Sequence, residues 1–220
     1  MEILKKTIRE AAREIGVVLD DHQLRQFMRY HRELLFWNEK ISLVSVKSDQ
    51  DIPIKHFVDS LTLVPLLPSR KIRLLDIGSG AGFPGIPLKI AVDDLDVTMI
   101  ESSRKKASFL KTVVRELSFD HVTVLNSRVE DIIRNEGYVQ GFDIVTSRAL
   151  FKLPDLIPAA ASFLSPGGVL MAMKGRSADD EIELSERAAA AEKLTLQALH
   201  RLVLPVTGDM RTIALYVKSR

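Results

Sequence analysis

Cysteine is missing from all 220 residues. Disulfides, thiolate zinc sites and cysteine nucleophiles go with it. An excess of one charge is nearly missing too: 31 Lys and Arg face 29 Asp and Glu, a formal net charge of +2. The field of the whole chain therefore argues little for nucleic acid. No apolar window approaches the length of a membrane span. The opening Met1-Glu2-Ile3-Leu4-Lys5-Lys6 runs into mixed charge without the apolar stretch of a signal peptide. Internal repeats and low-complexity tracts are absent. These absences lead to the expectation of a cytoplasmic chain, off the membrane, monomeric and without a metal site. What is present, 46% hydrophobic residues, is ample for one globular core with a small appendage.

The most informative stretch is Leu74-Leu75-Asp76-Ile77-Gly78-Ser79-Gly80-Ala81-Gly82-Phe83-Pro84-Gly85. An apolar strand ends in a carboxylate and breaks into four glycines before a helix. Without Cβ atoms, such a turn lets backbone N–H groups approach a ligand closely. The carboxylate suits a cationic ligand group better than a pyrophosphate. Gly80, Gly82 and Gly85 nevertheless satisfy the dinucleotide G-x-G-x-x-G pattern, so this segment alone is ambiguous. Glu101 closes the next apolar run, Val97-Thr98-Met99-Ile100. An acid at the end of a second strand accepts hydrogen bonds from the hydroxyls of an adenosine ribose, which NAD and S-adenosylmethionine share. The plain reading, a strand-to-helix turn with a surface Glu, leaves the order of strand, glycines, helix, strand and acid unexplained.

The first seventy residues differ from the rest. Lys5 to Val17 and His22 to Asn38 carry amphipathic helical patterns, the second capped by Asp20 or Asp21. A further helical run, Ile54 to Leu67, leads to a joint at Pro68-Ser69. Residues 1–70 are read as a helical N-terminal cap and 71–220 as the main α/β unit. From Arg73 onward, strands at Leu74 to Ile77, Val97 to Ile100, Val122 to Leu125, Phe142 to Thr146 and Val169 to Met173 alternate with helices, the clearest being Arg104 to Leu117. That alternation predicts a parallel sheet covered on both sides. Ser165-Pro166-Gly167-Gly168 predicts a sharp turn before the fifth strand. Leu199 to Leu204 and Arg211 to Val217, joined by a short loop, predict a terminal antiparallel hairpin. Five βα units plus that hairpin describe the Rossmann-like sheet of class I S-adenosylmethionine-dependent methyltransferases. A dehydrogenase more often ends in another parallel strand.

Local charge gathers in two places, Arg104, Lys105, Lys106, Lys111 and Arg115 on one helix and Arg25, Arg29, His31 and Arg32 on another. Both are read as solvated helix faces. For the chemistry, the Asp/Asn-Pro-Pro-aromatic motif of amino-group methyltransferases is absent where Thr146-Ser147-Arg148-Ala149 stands. Methylation at C5 of a pyrimidine needs a cysteine nucleophile. An acceptor that attacks without losing a proton, such as a ring nitrogen, remains, and it asks chiefly for positioning and a suitable field. An NAD-dependent oxidoreductase and a non-catalytic nucleic-acid-binding protein stay open as alternatives.

Nearly the whole chain resembles the small-subunit ribosomal RNA methyltransferase G family, also called glucose-inhibited division protein B. The segments that carry the resemblance are Trp37-Asn38-Glu39-Lys40-Ile41, Lys55-His56-Phe57-Val58-Asp59-Ser60-Leu61, the glycine segment through Pro87, Ser127-Arg128-Val129-Glu130, Thr146-Ser147-Arg148-Ala149 and Met173-Lys174-Gly175. Ser42-Leu43-Val44 departs from the family's usual Asn-Leu-Thr. The resemblance implies methyl transfer from S-adenosylmethionine to N7 of a guanosine in the 530 loop of 16S ribosomal RNA, carried as RNA or as a small-subunit particle.

On that reading Gly78, Gly80 and Gly82 lie under the methionine moiety, Asp76 beside its ammonium and Glu101 on the ribose. Phe83 takes the family's cofactor-contact position, or else staples the following helix. Val129 and Glu130 reach the adenine, or Glu130 only offsets a helix N-terminus. Arg148 serves cofactor or RNA at the transfer point as a positioning group, with no general base expected. Its structural alternative is an ion pair with Asp76 or Glu130. Arg128, Lys174, Arg211 and His56 are expected on the RNA, against surface ion pairs for the first three and packing for the histidine.

Overall fold

The computed structural model describes residues 2–45, 51–134, 138–148, 151–175 and 178–220. Met1 and Ala149, the last residue of the Thr146 segment, lie outside them. Helix α1 (Glu2–Glu14) precedes α2 (Asp21–Ile41). Of the two candidate caps, Asp20 starts α2: its carboxylate accepts from the Gln23 N–H at 2.8 Å, and the Gln23 side chain accepts from the Asp20 N–H at 2.9 Å. Ser42, with φ of 46°, closes the helix in a left-handed turn.

The expected helix from Ile54 to Leu67 is broken into three pieces. Pro53–Val58 is a wide π-helical turn, α3 (Asp59–Leu61) follows, and Val64–Leu66 is a 3-10 turn. Pro65 has no N–H to give to a continuing helix. The Ser60 and Thr62 hydroxyls donate to the carbonyls of His56 and Asp59, each at 2.6 Å, and so compete with the regular ladder.

The alternating half follows as β1 (Ile72–Ile77), α4 (Gly85–Ala91), β2 (Leu95–Ile100), α5 (Arg104–Glu116), β3 (Val122–Leu125) and α6 (Val129–Ile133). Then come β4 (Phe142–Arg148), α7 (Leu153–Phe163), β5 (Leu164–Lys174), α8 (Ala178–Ala191), β6 (Leu194–Val203) and β7 (Met210–Lys218). The sheet order is β3-β2-β1-β4-β5-β7-β6. The first five strands are parallel, and β7 inserts antiparallel between β5 and β6. The expected parallel sheet and terminal hairpin are both present.

Two local expectations need correction. Ser165-Pro166-Gly167-Gly168 does turn, with Gly167 at φ of 79°, but it lies inside β5 as a bulge. Leu164 already pairs with Phe142, and pairing resumes at Val169 opposite Ile144. β6 begins at Leu194, five residues before the apolar run that signalled it. Its first residues belong to an edge strand, where exposed Thr195 and Gln197 alternate with Leu194 and Leu196 and dilute the pattern.

Strand residues divide by face. Leu74, Val97, Ile144, Met171 and Ile213 join the core that α2, α4 and α5 complete with Phe27, Tyr30, Ile86 and Phe109. Leu75, Ile77, Val145, Leu170 and Tyr216 join the opposite core with Leu156, Ile157 and Phe163 of α7. The two-residue period of a strand decides this split. Between β1 and β4 the strand order reverses, and a crevice opens there beyond the carboxyl ends of the strands.

Candidate active site

The crevice is built from the end of β1. Gly78, Gly80 and Gly82 have φ of 71°, 58° and 94°, which side-chain-bearing residues adopt at a cost. At Gly82 there is a second reason for glycine. A Cβ would lie 2.6 Å from Ile86 Cγ1 and 3.0 Å from Tyr30 Oη. Tyr30 itself, fully buried on α2, donates its hydroxyl to the carbonyl of Ala81 and so pins the loop from behind. Glu101 pins it from the side, accepting from the Gly80 N–H at 2.9 Å and from the Ser103 N–H at 2.7 Å.

Asp76 is wholly buried beneath this loop. One carboxylate oxygen accepts from the Gly85 N–H at 3.1 Å, while Oδ1 has no partner among the described residues. Burial pushes its carboxyl up to about 7, against the pull of the Gly85 hydrogen bond and of Arg148, while the Ser79 hydroxyl donates to the Asp76 backbone carbonyl at 3.0 Å. A buried carboxylate oxygen without a donor is a place prepared for a cation.

Two clefts flank the loop. The first, of about 360 Å³, is lined by Gly78, Ile100, Ser102, Arg128, Val129 and Glu130. It lies over the ends of β1, β2 and β3. The second, of about 380 Å³, is lined by Lys55, His56, Asp59, Arg148, Lys174 and Arg211. It lies over the ends of β4, β5 and β7. Lys174, in the second cleft, donates to the carbonyl of Phe151, which lines the first, at 2.5 Å. The clefts are thus side by side.

Arg148 organises the second cleft. Its guanidinium donates to the Lys55 carbonyl at 3.2 Å, meets Asp59 at 3.4 Å and lies 2.9 Å from His56 Nδ1. It also sits 4.6 Å over the Phe83 ring. The alternative reading, an ion pair with Asp76 or Glu130, is met by neither; Arg148 pairs with Asp59, which the π-helical turn at Pro53–Val58 delivers to the end of β4. Asp59 serves a second cation as well, accepting from Arg211 Nε at 3.0 Å. Burial and the charges of Arg148, Lys55 and Arg211 hold His56 down to about 3, so the ring is neutral. With Nδ1 accepting from Arg148, the hydrogen belongs on Nε2, which is buried and has no partner among the described residues.

Against this geometry the comparisons with known proteins can be set. Residues 23–207 match the profile of the rRNA small subunit methyltransferase G family. The chain belongs to that family. A protein named ribosomal RNA small subunit methyltransferase G in Syntrophus aciditrophicus is 46% identical over 215 residues, covering 97% of this chain and 89% of that protein. Among solved structures, a "predicted O-methyltransferase" from Agrobacterium tumefaciens superposes with a TM-score of 0.59 at 18% identity, covering 70% of this chain and 77% of that one. The M. jannaschii TYW2 protein in complex with AdoMet gives 0.54 at 16% identity over 67% and 69%. These two show the class I methyltransferase fold. Family membership makes the chain a small-subunit ribosomal RNA methyltransferase and removes the oxidoreductase and the non-catalytic binder.

Within this rRNA small subunit methyltransferase G member, the residues singled out from sequence fall into two groups. His56, Arg148, Lys174 and Arg211 line one cleft, and Gly78, Arg128, Val129 and Glu130 line the other. Arg128 therefore stands apart from the other basic residues expected on RNA. Phe83 is buried in an aromatic cluster, its ring 4.9 Å from His56, 5.7 Å from Tyr30 and 6.0 Å from Phe57. Lys174 is tied to Glu181 at 2.7 Å. Three residues of the site had no role from sequence. Lys55 and Asp59 flank His56 within one segment, so their spacing was a usable signal. Tyr30 gave none, being one apolar-face aromatic among several.

Proposed function

We propose that this chain transfers the methyl group of S-adenosylmethionine to N7 of a guanosine in the 530 loop of 16S ribosomal RNA. The observation that carries this reading is the pairing of two clefts across the glycine loop, one suited to a nucleoside donor and one to a polyanion. Beneath the loop, the partnerless Asp76 Oδ1 is the group suited to an ammonium, and Glu101, which already holds the Gly80 and Ser103 N–H groups, is the one suited to ribose hydroxyls; in the first cleft itself, backbone at Val129 with Glu130 fits an adenine amine. Bound there, S-adenosylmethionine supplies a methyl group made electrophilic by a sulfonium.

The second cleft does the recognition. Arg148, Arg211 and Lys55 offer guanidinium and ammonium donors to phosphates and to guanine O6; Asp59 is the one carboxylate lining the cleft, and Lys55 also meets Asp51 at 3.2 Å at its edge. His56, its ring flat against Phe83, holds the Arg148 guanidinium in place through Nδ1. Guanine N7 attacks with its own lone pair, so no proton has to leave before the methyl carbon is bonded. The positive charge moves from donor to purine without changing in total. Residues of this cleft need to orient the base in line and keep water out; none is asked to act as a base. The uncharged His56, its lone pair already engaged by Arg148, agrees with that.

The test is methyl transfer from labelled S-adenosylmethionine to small-subunit particles from cells lacking this protein, with the mark mapped by mass spectrometry and primer extension. One methyl per particle at guanine N7 in the 530 loop is expected. A normal N7 mark already present in those cells would sink the assignment.

A further inference from the structure

Away from both clefts, a groove of about 640 Å³ runs between α1 and α2. Its floor is apolar, made by Leu4, Met28 and Leu35, and its rim is cationic, made by Arg25, Arg29 and Arg32. No acidic side chain lines it among the described residues. The three arginines stand at positions i, i+4 and i+7 of α2 and are exposed. They therefore form one stripe, about 10 Å long at 1.5 Å per residue. Among the described residues Arg25 and Arg29 have no ion-pair or hydrogen-bond partner, and Arg32 meets only the neighbouring Glu33 at 3.7 Å. Acids do stand at helical spacing, Asp21 four residues before Arg25 and Glu33 four after Arg29, but Asp21 is engaged by Arg9 and Glu33 by Arg32, which leaves Arg25 and Arg29 without a carboxylate.

The same helix reaches the reaction centre. Its buried face carries Tyr30, which pins the glycine loop at Ala81. His31, lining the groove, meets the Phe57 ring edge-on at 6.1 Å, and Phe57 belongs to the π-helical turn that bears Lys55 and His56. Helix α2 thus backs both the glycine loop and the turn that carries Lys55 and His56.

We propose that this groove is a second RNA-binding surface, which grips the sugar-phosphate backbone of the substrate at a distance from the methylated base. The inference rests on the reading of this chain as an enzyme acting on RNA. Three guanidiniums over about 10 Å match about three successive phosphates of one strand. The apolar floor accepts the faces of ribose or unpaired bases, and guanidinium planes stack on bases as well as binding phosphates. An acidic protein segment bearing apolar side chains would also cover the floor; what favours RNA is the regular spacing of three like charges against successive phosphates. Distance from the glycine loop makes the surface dispensable for donor binding.

The test compares the full-length protein with the double variant Arg25→Ala/Arg29→Ala and with Arg187→Ala, a control on the exposed side of α8. Binding to deproteinised 16S rRNA is measured from about 50 to about 300 mM salt, together with methyl transfer to small-subunit particles and binding of S-adenosylhomocysteine. The double variant is expected to lose about tenfold in RNA affinity at low salt, and its log–log salt slope should shrink by about 1.5. The control and the S-adenosylhomocysteine affinity should stay unchanged. An unchanged salt slope overturns the inference. So does a loss of activity on particles with no loss of binding to deproteinised RNA, which would assign the groove to a ribosomal protein. Absence of methyl transfer by the unaltered protein would instead strike the proposed reaction, and the RNA-binding arm would still decide the groove.

Discussion

Asp76 gives the sharpest physical prediction. Its carboxyl is raised from an ordinary 3.8 to about 7 by complete burial, with one oxygen left without a donor. Between those two pH values the unfolded chain has lost this proton and the folded chain keeps it. The folded state therefore binds more protons, and stability must fall as pH rises from about 4 to about 7. Three pH units at about 1.4 kcal/mol each make the total on the order of 4 kcal/mol. His56 acts in the opposite sense: lowered from 6.5 to about 3, it makes stability rise over much of the same window. The profile of the unaltered protein mixes these two groups with Asp59, Asp143 and Glu181, so the informative quantity is the difference from Asp76→Asn. Urea unfolding of both proteins at half-unit steps from pH 4 to 8 measures it. The unaltered protein should lose on the order of 4 kcal/mol relative to the variant across that range. A ligand ammonium reaching Oδ1 reverses the effect, because it favours the ionised carboxylate. Binding of S-adenosylhomocysteine near pH 6 should release a proton, seen by calorimetry in buffers of different ionisation enthalpy, and Asp76→Asn should abolish that release. A stability difference constant to within about 0.5 kcal/mol from pH 4 to 7 would refute the reasoning.

Three further substitutions probe the frame around the site. Gly82→Ala forces a φ of 94° on a residue with a Cβ and drives that atom within 2.6 Å of Ile86, so unfolding should show a loss of about 3 kcal/mol. Its S-adenosylhomocysteine affinity, followed by calorimetry, should drop more than tenfold. Tyr30→Phe removes the donor to the buried Ala81 carbonyl and should lower stability by about 1–3 kcal/mol, while weakening donor binding more than RNA binding. Asp59→Ala leaves Arg148 and Arg211 facing each other without their shared carboxylate. A loss of about 3–5 kcal/mol is expected in denaturant melts, and Asp59→Ala/Arg148→Ala should lose less than the two single changes added together.

The chain by itself determined the sheet and the place of the glycine loop and of Glu101 at the ends of β1 and β2. Near-continuous apolar runs separated by amphipathic stretches can only bury themselves as a doubly covered parallel sheet, and the glycines with Glu101 stand in order along two neighbouring strands. The strand and turn signals are local, and Glu101, 21 residues beyond Gly80, is brought back by a single βαβ step that the order of elements already announces. What only tertiary structure decided was the cationic cleft. Asp59 meets Arg148 and Arg211 across sequence distances of 89 and 152 residues, and Tyr30 meets Ala81 across 51. No periodicity reports such pairings. They arise because the break at Pro53–Leu66, where hydroxyls and a proline spoil a regular helix, swings one buried carboxylate over the ends of β4 and β7. The ion-pair partners that the sequence offered for Arg148 as an alternative, Asp76 and Glu130, were both local to the strand ends, whereas the carboxylate that meets it, Asp59, comes from the N-terminal helical segment.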